Sequence, residues 1–250
     1  MIALEAIVKG FEGREFFLEY LPVISLENGR CVGAEALIRW RRPDGVVYPD
    51  QFIPVVENTP YSGPITHWVI DTVADELVDW LRLNPDMLIS INVPPELLGR
   101  GGLLYAGEKS GLSEFKRQII IEITERGLPD RLGVDSMPLM SEYGVRLALD
   151  DVTLTGANLA ILSRCPFNTL KIDRAAVMEL ESGKPDPHWL QILSTLIATQ
   201  ALHVIVEGVE TDYQAQRLRD VGIRFAQGYL FSQSISARNL MAFHAERSKA

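Results

Sequence analysis

The chain has 250 residues, 47% of them apolar and 23% charged, a composition that fits a folded protein with a sizeable core and argues against disorder. Its formal net charge of -9 excludes a basic surface wrapped around duplex nucleic acid, because the counterion release that drives such binding needs clustered Lys and Arg. A small phosphate ligand held by one or two local cations remains open.

Eight short β-rich runs follow one another along the chain: FFLEYLPVI (16–24), CVGAEALIRW (31–40), MLISINV (87–93), QIIIEIT (118–124), VRLALDD (145–151), FNTLKID (167–173), HVIVEGV (203–209) and RFAQGY (224–229). The first two are separated only by SLENGR (25–30), which is rich in turn formers and far too short for a parallel crossover, so the first strand is predicted antiparallel to the second. Between most of the others lie stretches of helical period at 65–81, 187–201 and 211–222, the last opening on a Thr-x-x-Gln capping box. Strands alternating with helices pair in parallel, and eight such units predict an α/β fold, a (β/α)8 TIM-like barrel with its first strand antiparallel. No linker, low-complexity block or internal repeat divides the chain, so residues 1–250 read as one domain, with 1–12 as the end of a connecting helix from an upstream module.

The two cysteines, Cys31 and Cys165, have no Cys or His nearby at metal-ligand spacing, which argues against a disulfide framework or a zinc site and fits a reducing cytoplasm. No apolar run reaches the roughly 18 residues that span a bilayer, and no signal-peptide pattern opens the chain. The expected location is the cytoplasm, or the cytoplasmic face of a membrane if the chain is part of something longer.

Barrel active sites form at the carboxyl ends of the strands. The polar residues that close the apolar runs are Glu35, Asn92, Glu122, Asp150 with Asp151, Lys171, Glu207 and Gln227. Strand alternation puts Glu35, Leu37 and Arg39 on one face, and pairs Ser90 with Asn92, Ile120 with Glu122 and Ala148 with Asp150. Carboxylates gathered in one pocket raise each other's pKa until some are protonated, unless cations are present. Oxygen donors without Cys or His suit Mg2+, Mn2+ or Ca2+, and the adjacent Asp150 and Asp151 can serve two ions of the kind that clamp a phosphoryl displacement. Arg39 would then hold a phosphate oxygen, and Lys171 would orient a water or neutralise developing charge. Taken singly, each residue has a plainer reading: a helix cap, a snorkelling lysine, a surface ion pair. His67, His188, His203 and His244 show no site-like spacing and read as structural. The coincidence of so many acids and amides on one rim carries the metal-site reading.

Glu35-Ala36-Leu37 within GAEALIRW, followed in order by PDQFIPVVE (49–57), SINVPP (90–95), IEITE (121–125), LALDD (147–151), LKIDR (170–174), VEGVET (206–211) and QGYLFS (227–232), resembles the EAL-domain cyclic di-GMP phosphodiesterases over nearly the whole chain. The resemblance implies a barrel with an antiparallel first strand, and hydrolysis of cyclic di-GMP to linear pGpG with Mg2+ or Mn2+ at a two-metal site, Ca2+ being inhibitory. It implies that Glu35, Asn92, Glu122 and Asp150 hold one metal, with Asp150 and Asp151 serving the second. Glu207 would be the general base and Lys171 would position the attacking water, supported by Gln227. Arg39, with Leu37, Pro49 and Phe52, would bind substrate; Glu125 would steady the loop after the double aspartate and Glu210 would lie behind the site. A homodimer is implied as well.

The family's DDFGTGYSSL reads DDVTLTGANL (150–159) here, with Thr153 and Thr155 in place of two glycines. Its Tyr-Gln-Pro reads Tyr20-Leu21-Pro22, the segment after Glu57 is NTPYSGPI, and a proline is replaced by Ser234. The enzyme reading is therefore set beside two others: a cyclic di-GMP receptor or protein-interaction barrel that keeps an inherited site, and a metal-dependent barrel acting on another phosphodiester.

Overall fold

The SLENGR segment turns the chain as its composition predicts. Strand β1 (Phe16–Ser25) runs antiparallel to β2 (Cys31–Arg42), with Phe16 opposite Trp40 and Ile24 opposite Cys31. The computed structural model describes residues 2–124, 129–152, 165–199 and 202–248. A short strand β3 (Gly45–Val47), not expected from the sequence, folds back on β2 through Pro43 and Asp44, so that Arg42 faces Gly45. Three residues are too few to carry an alternating pattern.

From β2 the sheet continues in parallel through β4 (Leu88–Asn92), β5 (Ile119–Thr124), β6 (Arg146–Val152), β7 (Thr169–Ile172), β8 (His203–Val206) and β9 (Phe225–Ala226). Strand β9 then pairs antiparallel with β1, Ala226 opposite Ile24, and the ring closes. The expected eight-stranded barrel with one antiparallel strand is the observed fold, and β3 lies outside the ring.

Alternation along each strand divides the core in two. Ile91, Ile121, Leu147, Leu170 and Val206 point outward beneath the helices, all buried, while Asn92, Glu122, Ala148, Lys171 and Glu207 occupy the other face. The predicted helical stretches become helices Ser62–Leu83, His188–Thr199 and Asp212–Asp220. In the last, Thr211 Oγ1 accepts from Gln214 N at 3.2 Å and Gln214 Oε1 accepts from Thr211 N at 3.1 Å, the anticipated capping box. Helices Gly102–Ser110 and Arg131–Tyr143 escaped the periodic reading because Gly102, Gly107, Gly133 and Pro138 dilute their helical signal. Helix Leu4–Glu12 docks on the barrel: Ile7 is fully buried, and a Cβ on Gly10 would lie 2.5 Å from Trp40 Nε1. Among the described residues, no helix is long and apolar enough to cross a membrane.

One expected ligand contact is corrected here. Phe52 does not face the rim; it is fully buried in an aromatic cluster, with ring centroids 5.4 Å from Phe16 and 5.9 Å from Trp40. An apolar ring beside a bulky stacked pair gains more from burial than from a polar cleft.

Candidate active site at the carboxyl rim

Lys171, 1% exposed, stands at the centre of the barrel mouth. Its Nζ lies 3.0 Å from Glu35 Oε2, 2.9 Å from Glu122 Oε2, 3.1 Å from Asp150 Oδ1 and 2.6 Å from Glu207 Oε1. These acids come from β2, β5, β6 and the residue after β8, so the closed ring brings together groups up to 172 positions apart (207 minus 35). Backbone pairing continues past the strand ends and fixes their aim: Glu207 N donates to Ile172 O at 3.0 Å, and Gln227 N to Val206 O at 2.9 Å. Gln227 Nε2 then donates to both Glu35 Oε2 (2.8 Å) and Glu207 Oε1 (3.1 Å). Gly228 permits this turn, because at φ 152° any Cβ there would lie 2.3 Å from Val209 N and O.

One ammonium cannot neutralise four carboxylates. Burial opposes the charge on Lys171, but Asp150, Glu122, Glu207 and Glu35 overcome it and push its pKa well above the usual lysine value. Burial, reinforced by the charge of Glu35, drives Glu122 well above the ordinary carboxylate range, and burial also raises Asp150. Glu207 is pushed up to about 8, chiefly by burial, with Lys171 pulling the other way and Asp150 and Glu35 adding to the rise. For Glu35 burial is outweighed by Lys171, Gln227 and Asn92, and its pKa is lowered.

The excess negative charge suits divalent cations. Glu35, Glu122 and Asp150 offer oxygens within 4.8 Å of one another, and so do Asp150, Asp151 and Glu207, the two sets sharing Asp150. Every donor is a hard oxygen, as Mg2+ or Mn2+ prefers. Glu122 Oε1 is buried without a hydrogen-bond partner and Asp150 Oδ1 has only the shared Lys171 ammonium, 3.1 Å away, and a buried under-satisfied acceptor costs free energy that a cation removes. Asn92, on the exposed side, donates from Nδ2 to Glu35 Oε1 at 2.8 Å and holds that carboxylate in place.

In a regular strand Asp150 and Asp151 would point to opposite faces. The pairing of β6 with β7 slips between Leu149 and Val152, and Asp151 adopts φ 56°. This bulge turns both carboxylates toward the rim, and aspartate tolerates the left-handed conformation better than most residues. Glu125, Thr153 and Thr155 lie outside the described residues.

Leu37 and Pro49 line a cleft of about 840 Å3 that opens onto Glu35, Asn92, Glu122 and Asp150. Arg39 is 5% exposed: its Nε donates to Glu19 Oε2 at 2.9 Å and its Nη2 to Ser234 Oγ at 3.1 Å, while Ser234 Oγ donates to Glu19 at 2.7 Å. The sequence reading missed Glu19; Ser234, noted there only as a departure from the family pattern, was the available signal. Glu210 does not support the cluster directly, since it is exposed and paired with Arg174 at 2.7 Å. The four histidines lie outside both cation sets.

The EAL domain family matches residues 4–234. The chain is 35% identical over 236 residues to the probable cyclic di-GMP phosphodiesterase PdeB of Escherichia coli (strain K12), covering 92% of this chain and 45% of that protein. It is 30% identical over 245 residues to the bifunctional diguanylate cyclase/cyclic di-GMP phosphodiesterase MucR of Pseudomonas aeruginosa, covering 96% and 36%. Among solved structures, the PaMucR phosphodiesterase in complex with c-di-GMP matches with a TM-score of 0.84 at 30% identity, over 95% of this chain and 98% of that one. The EAL enzyme Bd1971 in its cAMP and cyclic-di-GMP bound form gives 0.84 at 31% identity, over 96% and 67%. The chain thus spans less than half the length of these two curated relatives.

Proposed function

The chain belongs to the EAL-domain family, and on that premise we propose that it hydrolyses cyclic di-GMP to linear 5′-pGpG in a reaction that depends on Mg2+ or Mn2+. The observation that carries the proposal is the pair of carboxylate sets sharing Asp150 across the bulge at Asp151. Glu35, Asn92, Glu122 and Asp150 would hold one cation and Asp150 with Asp151 the other, with Glu207 beside it, and when bound these supply charge stabilisation to the phosphate. Glu207, whose Oε1 accepts from Gln227 Nε2 at 3.1 Å and lies 2.6 Å from Lys171 Nζ, takes a proton from the attacking water once the neighbouring cations have ionised it, and Gln227 and Lys171 fix the orientation of its carboxylate. The water oxygen joins phosphorus, the P–O3′ bond breaks, and the 3′ oxygen departs as an alkoxide that takes a proton from solvent to give the 3′ hydroxyl of pGpG. Arg39 binds a phosphate oxygen, with Leu37 and Pro49 shaping the cleft. Residues 1–250 act as a single EAL domain; the proposal extends to a homodimer, a cytoplasmic or cytoplasmic-face location, and an upstream sensory or membrane domain in a longer protein.

A second reading, a cyclic di-GMP receptor without turnover, draws on the engagement of Arg39 by Glu19 and Ser234, which an incoming phosphate must compete with. Purified protein incubated with cyclic di-GMP and Mg2+ or Mn2+ separates the two. Release of pGpG on chromatography, stopped by Glu207→Gln with binding retained, supports the enzyme; Ca2+ should occupy the site and inhibit. Tight calorimetric binding with no product in either metal would establish the receptor instead.

A further inference from the structure

On the outer side of β4 and β5 lies a second cavity, of about 430 Å3. Its floor is Ile91, Ile119 and Ile121, which alternate along those strands with Asn92 and Glu122. Leu103 of helix Gly102–Ser110 and Met140 of helix Arg131–Tyr143 form facing walls. The space exists because helix Gly102–Ser110 presents no side chain at Gly107, where an added Cβ would meet nothing nearer than Ser113 at 3.9 Å. Ligand cavities of this kind are mostly apolar with a few placed polar groups. Here the placed group is Lys116, whose Nζ lies 3.6 Å from the centroid of the Tyr143 ring and which has no carboxylate at ion-pair distance among the described residues. A half-buried cation beside an apolar cavity is complementary to an anionic head group on a hydrocarbon tail.

We propose that this cavity binds a free alkyl carboxylate of medium chain length, its tail on the isoleucine floor and its carboxylate on Lys116. The site is separate from the carboxyl rim and does not depend on the reading of that rim, because its test measures binding and not turnover. Decanoate, with decanol as a neutral counterpart, is titrated calorimetrically into the whole chain and its effect on melting temperature recorded. Saturable binding of decanoate with a rise in melting temperature is expected. Lys116→Met should weaken decanoate by about tenfold or more, the loss of one charge-assisted hydrogen bond, and leave decanol unchanged. Gly107→Leu should fill the cavity and abolish binding of both. Lys116 is a partly exposed side chain, so its variant decides the matter if Gly107→Leu fails to fold. Absence of binding to the unaltered chain, equal binding to Gly107→Leu, or indifference of decanoate to Lys116→Met would overturn the proposal. So would a dimer that Gly107→Leu converts to monomer, which would make the cavity an interface between copies.

Discussion

Replacing Lys171 with Met removes the ammonium that lies among Glu35, Glu122, Asp150 and Glu207 while nearly conserving side-chain volume. Breaking a buried ion pair on one side costs about 3 to 5 kcal/mol. For a chain of this size each kcal/mol moves the melting temperature by about 2 to 4 °C, so the EDTA-treated variant should melt roughly 6 to 20 °C below the parent. The pH dependence has a definite sign. An acid whose folded pKa is raised binds more protons folded than unfolded, so its contribution to stability is present below the unfolded value and is lost as pH rises toward the folded one. For Glu207 that window runs from the ordinary glutamate value of 4.5 to about 8, and removing Lys171 widens it upward. The deficit should therefore be larger at about pH 8.5 than at about pH 5.5. Millimolar Mg2+ should restore more stability to the variant than to the parent, because it replaces the missing counter-charge. Thermal melts followed by circular dichroism in EDTA, then with Mg2+, measure all three quantities. A variant that melts with the parent at both pH values would refute the account of Lys171 as the neutralising centre of the cluster.

Metal binding should release protons, since Glu122 and Asp150 carry raised pKa values and must ionise to act as ligands, and Glu207, also raised, ionises beside the bound cation. Calorimetry in buffers of different ionisation enthalpy should show it, with Mg2+ affinity rising through about pH 8; affinity independent of pH would contradict it. Asp151→Asn keeps a residue that tolerates φ 56° but weakens one cation set, so turnover should fall by about tenfold to a hundredfold with the melting temperature nearly unchanged. Ser234→Ala removes the hydroxyl between Arg39 and Glu19; one lost hydrogen bond corresponds to about a two- to tenfold change in KM for cyclic di-GMP, with kcat little affected. A change confined to kcat would place Ser234 in a different role.

The fold was legible because two periodicities survive in the sequence: alternation in the parallel strands and the helical period of Ser62–Leu83. The rim was legible for the same reason. A charged residue such as Glu122 or Lys171 inside an otherwise apolar strand is a local contradiction, and such contradictions mark sites. What stayed hidden depends on the path of the backbone or on partners far away in the chain. The bulge that re-aims Asp151 has no compositional mark, since it arises from a slipped pairing between β6 and β7. The engagement of Arg39 joins residues 20 and 195 positions away from it. Phe52 was misplaced because its motif neighbour Pro49 does line the cleft, and a short 3-10 turn over Pro49–Gln51 followed by a helix turns the next ring inward.

The charge balance of the rim connects these observations. Three buried carboxylates and a half-buried fourth beside Lys171 are a poor arrangement for stability alone, because apolar residues of similar volume would remove the cost of desolvating them. The strands could supply such residues, as Ile120 and Ala148 do two positions earlier on the same faces of β5 and β6 as Glu122 and Asp150. Lys171 lowers the cost, and it leaves Glu122 Oε1 without a hydrogen bond. A cluster neutralised just far enough to fold is also one that gains most when a divalent cation arrives, which is why stability and metal affinity should respond together to any change at Lys171.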